Sequence, residues 1–134
     1  MGAWGAGVFD NDTALDWLDA LERTGSAAVS KALRSLPDAA GYIDADQASD
    51  ALAAAEIVAA SRGNPPADFP GEAADWVQAH GPSVPYDLTE VAADAVARIR
   101  TDSELRDLWE ESGAEEWYAA LDDLLARLGR VDLT

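Results

Sequence analysis

One histidine, a scattering of serines and a large excess of carboxylates are the side chains of this chain that could do chemistry. His80 stands before Gly81-Pro82-Ser83. An imidazole acts as a general base only with a positioned nucleophile and an orienting group, and Ser83 has no Gly-x-Ser-x-Gly turn around it. The place before Gly-Pro suits a helix C-terminus instead, where a histidine meets the last carbonyls and the negative end of the dipole. Asp10, Asp12 and Asp16 could gather oxygen ligands for a hydrated magnesium ion, but short acids at a helix start are already favoured as caps. Asp44, Asp46 and Asp50 match positions 1, 3 and 7 of a calcium loop, yet the sixth position is Ser49 where glycine is needed and the twelfth is Ala55 where glutamate is needed. Helix capping accounts better for Asp44. With no cysteine and no phosphate-cradling glycine loop between strand and helix, we expect no catalytic residue, no metal site and no cofactor, and the reading leans away from an enzyme.

The segment from Glu104 to Glu116 is different in kind. Trp109 with Glu110 and Glu111, then Glu115 and Glu116 with Trp117, interleave large aromatics with acids. Such a face can grip a basic partner, the tryptophans as anchors and the glutamates as rim. The competing expectation is an ordinary amphipathic helix, with Leu105, Leu108 and Trp109 facing the core and the acids in water.

The charge balance points the same way. Twenty-six acidic residues against nine basic ones give a net charge of -17 over 134 residues. Such a field repels nucleic-acid backbones and anionic lipid, so neither is expected as a partner; a basic protein, a cationic small molecule or a divalent metal suits it, and solubility alone is a sufficient reason for it. The excess is heavier in the second half of the chain. Without cysteine, a basic-then-apolar leader or an uninterrupted apolar run, the expected compartment is the cytoplasm.

These residues must be carried by helices. Alternation with period two is absent over strand length, and the apolar spacing is helical nearly throughout, so the expectation is all-α: one compact bundle of six or seven helices spanning residues 1–134 without an internal boundary. The opening Trp4-Gly5-Ala-Gly7-Val-Phe9-Asp10-Asn11-Asp12 reads as a Gly-rich turn segment whose Trp4 and Phe9 pack on the bundle, with Asn11 or Asp12 as the cap of a first helix over 13–24 that Gly25 stops. A second helix over 27–36 ends at Pro37. Asp44 to Gln47 has the form of a capping box, with Ile43 as a staple, for a third helix to about Arg62 whose inward stripe is Ala48, Leu52, Ala55 and Ala59. A short helix over 71–80 carries Trp76. Two further starting boxes, Asp87 to Glu90 and Thr101 to Glu104, open the fifth and sixth helices, and the seventh, over 114–128, carries Trp117, Leu121, Leu124, Leu125 and Leu128 on one stripe. The 29 alanines allow close helix approach and leave the tryptophans and leucines to fill the space.

The opening Gly2-Ala-Trp-Gly-Ala-Gly-Val-Phe-Asp-Asn-Asp12, continuing to Asp16-Trp17-Leu18, resembles the start of the bacterial domain-of-unknown-function family numbered 4259. Ala54-Ala55-Glu56-Ile57-Val58, the Trp76 helix, Ser103-Glu-Leu105 with Leu108-Trp109-Glu110, and Glu116-Trp117 are similar too. The resemblance covers nearly the whole chain. It implies a fold and a bacterial origin, and it brings no catalytic residues with it. Two functional expectations therefore stand: a protein-binding module for a basic partner, for example an inhibitor or immunity protein covering a nuclease-like toxin, and a small-molecule or metal-binding domain, perhaps enzymatic, with a pocket between the N-terminal Gly/Asp segment and the helices.

Overall fold

The computed structural model describes residues 7–37 and 41–130. Trp4 and Gly5, expected in the N-terminal packing segment, lie outside the described residues. Seven α-helices follow in order: α1 (Asp12–Thr24), α2 (Ser26–Arg34), α3 (Ala45–Ser61), α4 (Gly71–His80), α5 (Leu88–Thr101), α6 (Glu104–Ser112) and α7 (Glu115–Arg127), with a 3₁₀ turn at Gly81–Ser83. No strand occurs among the described residues. The all-α expectation holds, and the helix boundaries lie within about two residues of those read from the sequence.

Helix α3 is the axis of the bundle. Every other helix packs against it, α5 and α2 most extensively. The sequence suggested an inward stripe of Ala48, Leu52, Ala55 and Ala59; in the structure Ala51, Ala53, Ala54, Ile57, Val58 and Ala60 are buried as well. A helix that is apolar all round is a core helix. The alanines are what make this geometry possible, because side chains of one carbon let neighbouring backbones come close on all sides at once. Larger side chains then close the core from outside: Leu18 and Leu21 of α1, Val29 and Leu33 of α2, Val96 and Ile99 of α5, and Trp117, Leu121 and Leu124 of α7 are all buried.

Local chemistry sets the ends of the helices. Asn11 caps α1, its Oδ1 accepting from the Ala14 N–H at 2.8 Å while its Nδ2 donates to the Val8 carbonyl at 3.1 Å. Gly25, at φ +69°, stops α1 and at once begins α2, a turn so abrupt that a residue with a Cβ would be strained there. Asp44 and Gln47 form the expected capping box of α3, and Ile43 beside them is buried. Two starting boxes are corrected. Asp87 stands at the start of α5 but its side chain makes no cap bond. Thr101 does not open α6: it is the last residue of α5, with its hydroxyl turned back to the Ala97 carbonyl, and the cap is Ser103, whose Oγ accepts from the Arg106 N–H and donates to the Ile99 carbonyl. Glu104 then reaches across to α3, accepting from the Ala45 N–H at 2.7 Å, and its own N–H donates to the Ile43 carbonyl. The starts of α3 and α6 are therefore tied to each other.

The N-terminal loop packs as expected where it is described. Val8 and Phe9 are buried, and the Phe9 ring lies 5.9 Å from that of Phe69. Gly7 closes a turn with Asp10, donating its N–H to Asp10 Oδ2 and accepting from the Asp10 N–H. A Cβ on Gly7 would stand 2.8 Å from that carboxylate oxygen and displace it.

These caps separate by substitution. Asn11→Ala should lower the unfolding free energy by about 1 kcal/mol in urea denaturation. Ser103→Ala should cost at least as much, since it also orphans groups at a fully buried position. Thr101→Ala should cost less than about 0.5 kcal/mol, because Thr101 caps nothing; equal losses at Thr101 and Ser103 would refute the assignment.

Candidate functional site

Among the described residues, three concavities bring polar side chains together, and each begins from a helix already described. The first is the face at the turn between α6 and α7. Gly113, at φ +102°, lets the chain reverse there. Glu110 and Glu111 lie in the last turn of α6, and Glu115 and Glu116 open α7, all exposed. The dipole of α7 favours the second pair, which lies in its first turn. Trp109 and the Tyr118 ring are half-buried against the core and border an open depression of about 550 Å³ together with Glu110, Glu115 and Glu116. The Tyr118 hydroxyl donates to Glu110, which holds the phenol above its ordinary range, and the Arg100 guanidinium lies 4.7 Å from the Tyr118 ring centre. Glu111, Glu115 and Glu116 carry no ion pair among the described residues. One residue of this group belongs elsewhere: Trp117 is 2% exposed, a core side chain and not a surface anchor. Its stripe partners Leu121 and Leu124 predicted that place.

The second place lies where the N-terminal loop meets α3 and α7. Glu56, in the middle of the buried stretch of α3, receives the Arg127 guanidinium on both oxygens, at 2.6 and 3.1 Å. Arg127 Nε donates to Asp123, and Asn64 Nδ2 donates to the Arg127 carbonyl. Burial pushes the Glu56 carboxyl up, and the guanidinium opposes that shift. A small cavity of about 190 Å³ borders this pair, walled by residues 7–10 and 66–68. It occupies the position expected for a pocket beside the Gly/Asp segment, but its two strongest groups are spent on each other. Asp10 is held by Gly7, and Asp12 is in the first turn of α1 beside its cap. Nothing in the sequence joined Glu56 to Arg127 across 71 residues; the available signal was a single acid inside the apolar run Ala51 to Ala60.

The third place, between α1, α2 and the start of α3, was not read from the sequence as a pocket. It is a groove of about 490 Å³ with Trp17, Ala20, Ala28, Ala32 and Leu36 along it and Asp50 on its α3 side. Asp50 has neither hydrogen bond nor ion pair among the described residues. Half-burial pushes its carboxyl up to about 6, and the nearby charges of Asp46 and Asp44 add to the rise. Asp44 itself is bound to the Gln47 N–H, and Asp46 accepts from the Thr13 hydroxyl at 3.4 Å, so the three acids of the calcium-loop spacing face different tasks.

His80 is the last residue of α4, exposed, with its ring centre 5.2 Å from that of Trp76. Ser83 Oγ donates to the His80 carbonyl and not to its ring. No group of three or more metal-ligating side chains is assembled among the described residues. No helix of the described residues is long and apolar enough to cross a membrane.

Two stability measurements check this geometry. Arg127→Met should leave Glu56 buried and uncompensated, at a cost of about 3 kcal/mol, and a Glu56→Leu change in the same chain should recover most of it. Asp50 behaves oppositely. Its folded value lies above its unfolded value of 3.8, so the contribution of its neutral form is complete below that pH and is lost as pH rises through about 6. Asp50→Asn should therefore stabilise the protein at about pH 8 by about 1 kcal/mol once solvent screening is allowed for, with the advantage shrinking on acidification. A constant difference from pH 4 to pH 8 would refute it.

No curated protein and no solved structure matches the chain. A family model described as "Domain of unknown function (DUF4259)" matches residues 2–120, from the N-terminal segment into the middle of α7, and takes in the whole of α1 to α6. On that match the chain belongs to the DUF4259 family.

Proposed function

We propose that this protein is a protein-binding module whose acidic face at the α6–α7 turn receives a basic partner. The observation that carries the reading is the state of the glutamates there: Glu111, Glu115 and Glu116 are exposed and carry no ion pair among the described residues, while Arg100 and Arg106, which border Tyr118 on this face, each have a carboxylate of their own. Arg100 forms two bonds to Asp122, at 2.7 and 3.2 Å, and Arg106 pairs with Asp107. The acids that face solvent are thus available to an outside cation. Between them, Trp109 offers a half-buried ring on which an arginine or lysine of a partner can lie while its charge meets the rim, whereas the Tyr118 ring already carries Arg100. The net charge of -17 draws a cationic surface in from a distance and falls in reach as salt rises. An inhibitor or immunity protein neutralising a basic toxin is one biological form of such a module.

The other reading, a small-molecule or metal-binding domain built on the N-terminal Gly/Asp segment, is favoured less. The cavity there is small, and Glu56 and Arg127 are committed to each other.

Capture from a bacterial lysate at low and at high salt tests the reading. The parent protein should retain a basic partner at low salt and lose most of it at high salt. A variant with Glu110, Glu111, Glu115 and Glu116 all changed to Gln should bind at least about tenfold more weakly in isothermal titration. Trp109→Ala should weaken binding at either salt, since its contribution is contact and not field. Retention of the same partner by the four-glutamine variant would sink the proposal.

A further inference from the structure

The groove between α1, α2 and α3 shares no lining residue with the α6–α7 face. Its form follows from the sequence. The single residue Gly25 separates α1 from α2, and the sides they turn to the groove carry Ala20, Ala28 and Ala32, each too small to fill it. Trp17 and Leu36 add the large apolar surfaces. A mostly apolar concavity of about 490 Å³ with a few polar groups has the size and the lining of a small-molecule site.

The polar groups are unequal. Arg23 of α1 and Lys31 of α2 stand at the groove and are fixed by no carboxylate among the described residues; Arg23 donates to the Asp19 carbonyl. Gln47 of α3 is occupied in its capping box. Asp50, the acid of the groove, has no hydrogen-bond or ion-pair partner among the described residues. A carboxylate half removed from water, with acids at the cap and in the first turn of its own helix and no protein donor among the described residues, is the feature here that packing does not explain.

We propose that this groove binds a small organic monocation with an apolar body, an alkylammonium or arylalkylammonium, whose nitrogen meets Asp50 and whose hydrocarbon lies along the alanines and Trp17. The charge belongs at one end only. A second positive group would meet Lys31 and Arg23, whereas a neutral or anionic outer end is compatible with them. The field of the whole protein raises the local concentration of any cation. Affinity rises with pH, because the nitrogen needs the ionised carboxylate. That ionisation runs through about 6, with burial, Asp46 of α3 and its cap Asp44 opposing it, while Lys31 and Arg23 border the same groove on the two facing helices.

The test titrates the folded protein with hexylammonium and, as neutral and anionic isosteres, hexanol and hexanoate, followed by isothermal titration and by NMR of the Asp50 carboxyl carbon and the Trp17 indole. Hexylammonium should bind saturably, at least about tenfold more tightly than either isostere, moving both resonances, with affinity increasing from about pH 5 to about pH 7. Asp50→Asn should lose that preference while circular dichroism shows the same fold, and Asp50→Glu should retain part of it. Ala32→Phe, which fills the groove and leaves the acid in place, should weaken all three ligands. Equal binding of the three probes by the parent, or undiminished hexylammonium binding by Asp50→Asn, overturns the proposal. So do shifts spread over the acidic surface that leave Trp17 unmoved, which would show charge attraction only.

Discussion

A helix enclosed on every side has to satisfy two conditions at once: its side chains must be small enough for its neighbours to approach, and any charge it carries must be answered from another element. Helix α3 meets the first with alanine. It meets the second at Glu56, whose carboxylate takes both terminal nitrogens of Arg127 from α7. Two ions taken out of water are held this way only with good geometry and with the remaining donors used, and here Nε goes to Asp123 while Nη1 also reaches the Asn64 carbonyl. The arrangement fixes more than one pair. The loop after α3, the end of α7 and the wall beside Val8 and Phe9 all meet at this point, so the closing of the bundle at one end depends on it.

What was legible in the sequence was what is local. The cap of α1 and the capping box of α3 could be read because a cap and its target lie three residues apart and the residue types are few. The same rule misplaced the start of α6: Thr101-Asp-Ser-Glu104 has the form of a box, but the helix before it continues through Thr101, and Ser103, one turn on from Ile99, can serve both helices at once. Glu104 has the residue type of the box and a different task, capping α3 from 59 residues away. The stripe of α3 was half visible for a similar reason. Periodicity identifies a face when polar residues mark the other one, and alanine marks neither.

The distribution of charge has a simple origin once the pairs are placed. Arg34, Arg100, Arg106, Arg127 and Arg130 are tied to Asp87, Asp122, Asp107, Glu56 with Asp123, and Asp94. Arg62 is drawn into holding the loop before α5, donating to the Val84 and Pro85 carbonyls and to Thr89, with the Tyr86 ring 4.7 Å away. Most of the scarce cations serve the fold, and most of the acids in excess are left to the surface. At the α6–α7 turn that leaves glutamates beside two half-buried rings. Acids stand beside an aromatic elsewhere too, since the exposed Tyr42 donates its hydroxyl to Asp107, so the turn is distinguished by two rings that are half-buried against the core.

Glu56 and Asp50 sit on one helix, six residues apart, and show why an unpaired acid carries information. Both are partly or wholly withdrawn from water, and for both burial is the first cause of a raised carboxyl. For Glu56 the chain supplies an arginine at bonding distance from each oxygen. For Asp50 none is supplied among the described residues, although Lys31 and Arg23 border the same groove, and Ala48, Ala51, Ala53 and Ala54 nearby show how readily this helix accepts a small neutral side chain. An alanine at 50 would remove the strain of three acids near one helix start and leave the packing of α1 and α2 as it is. The groove keeps a carboxylate that no described side chain answers, beside an open space of ligand size.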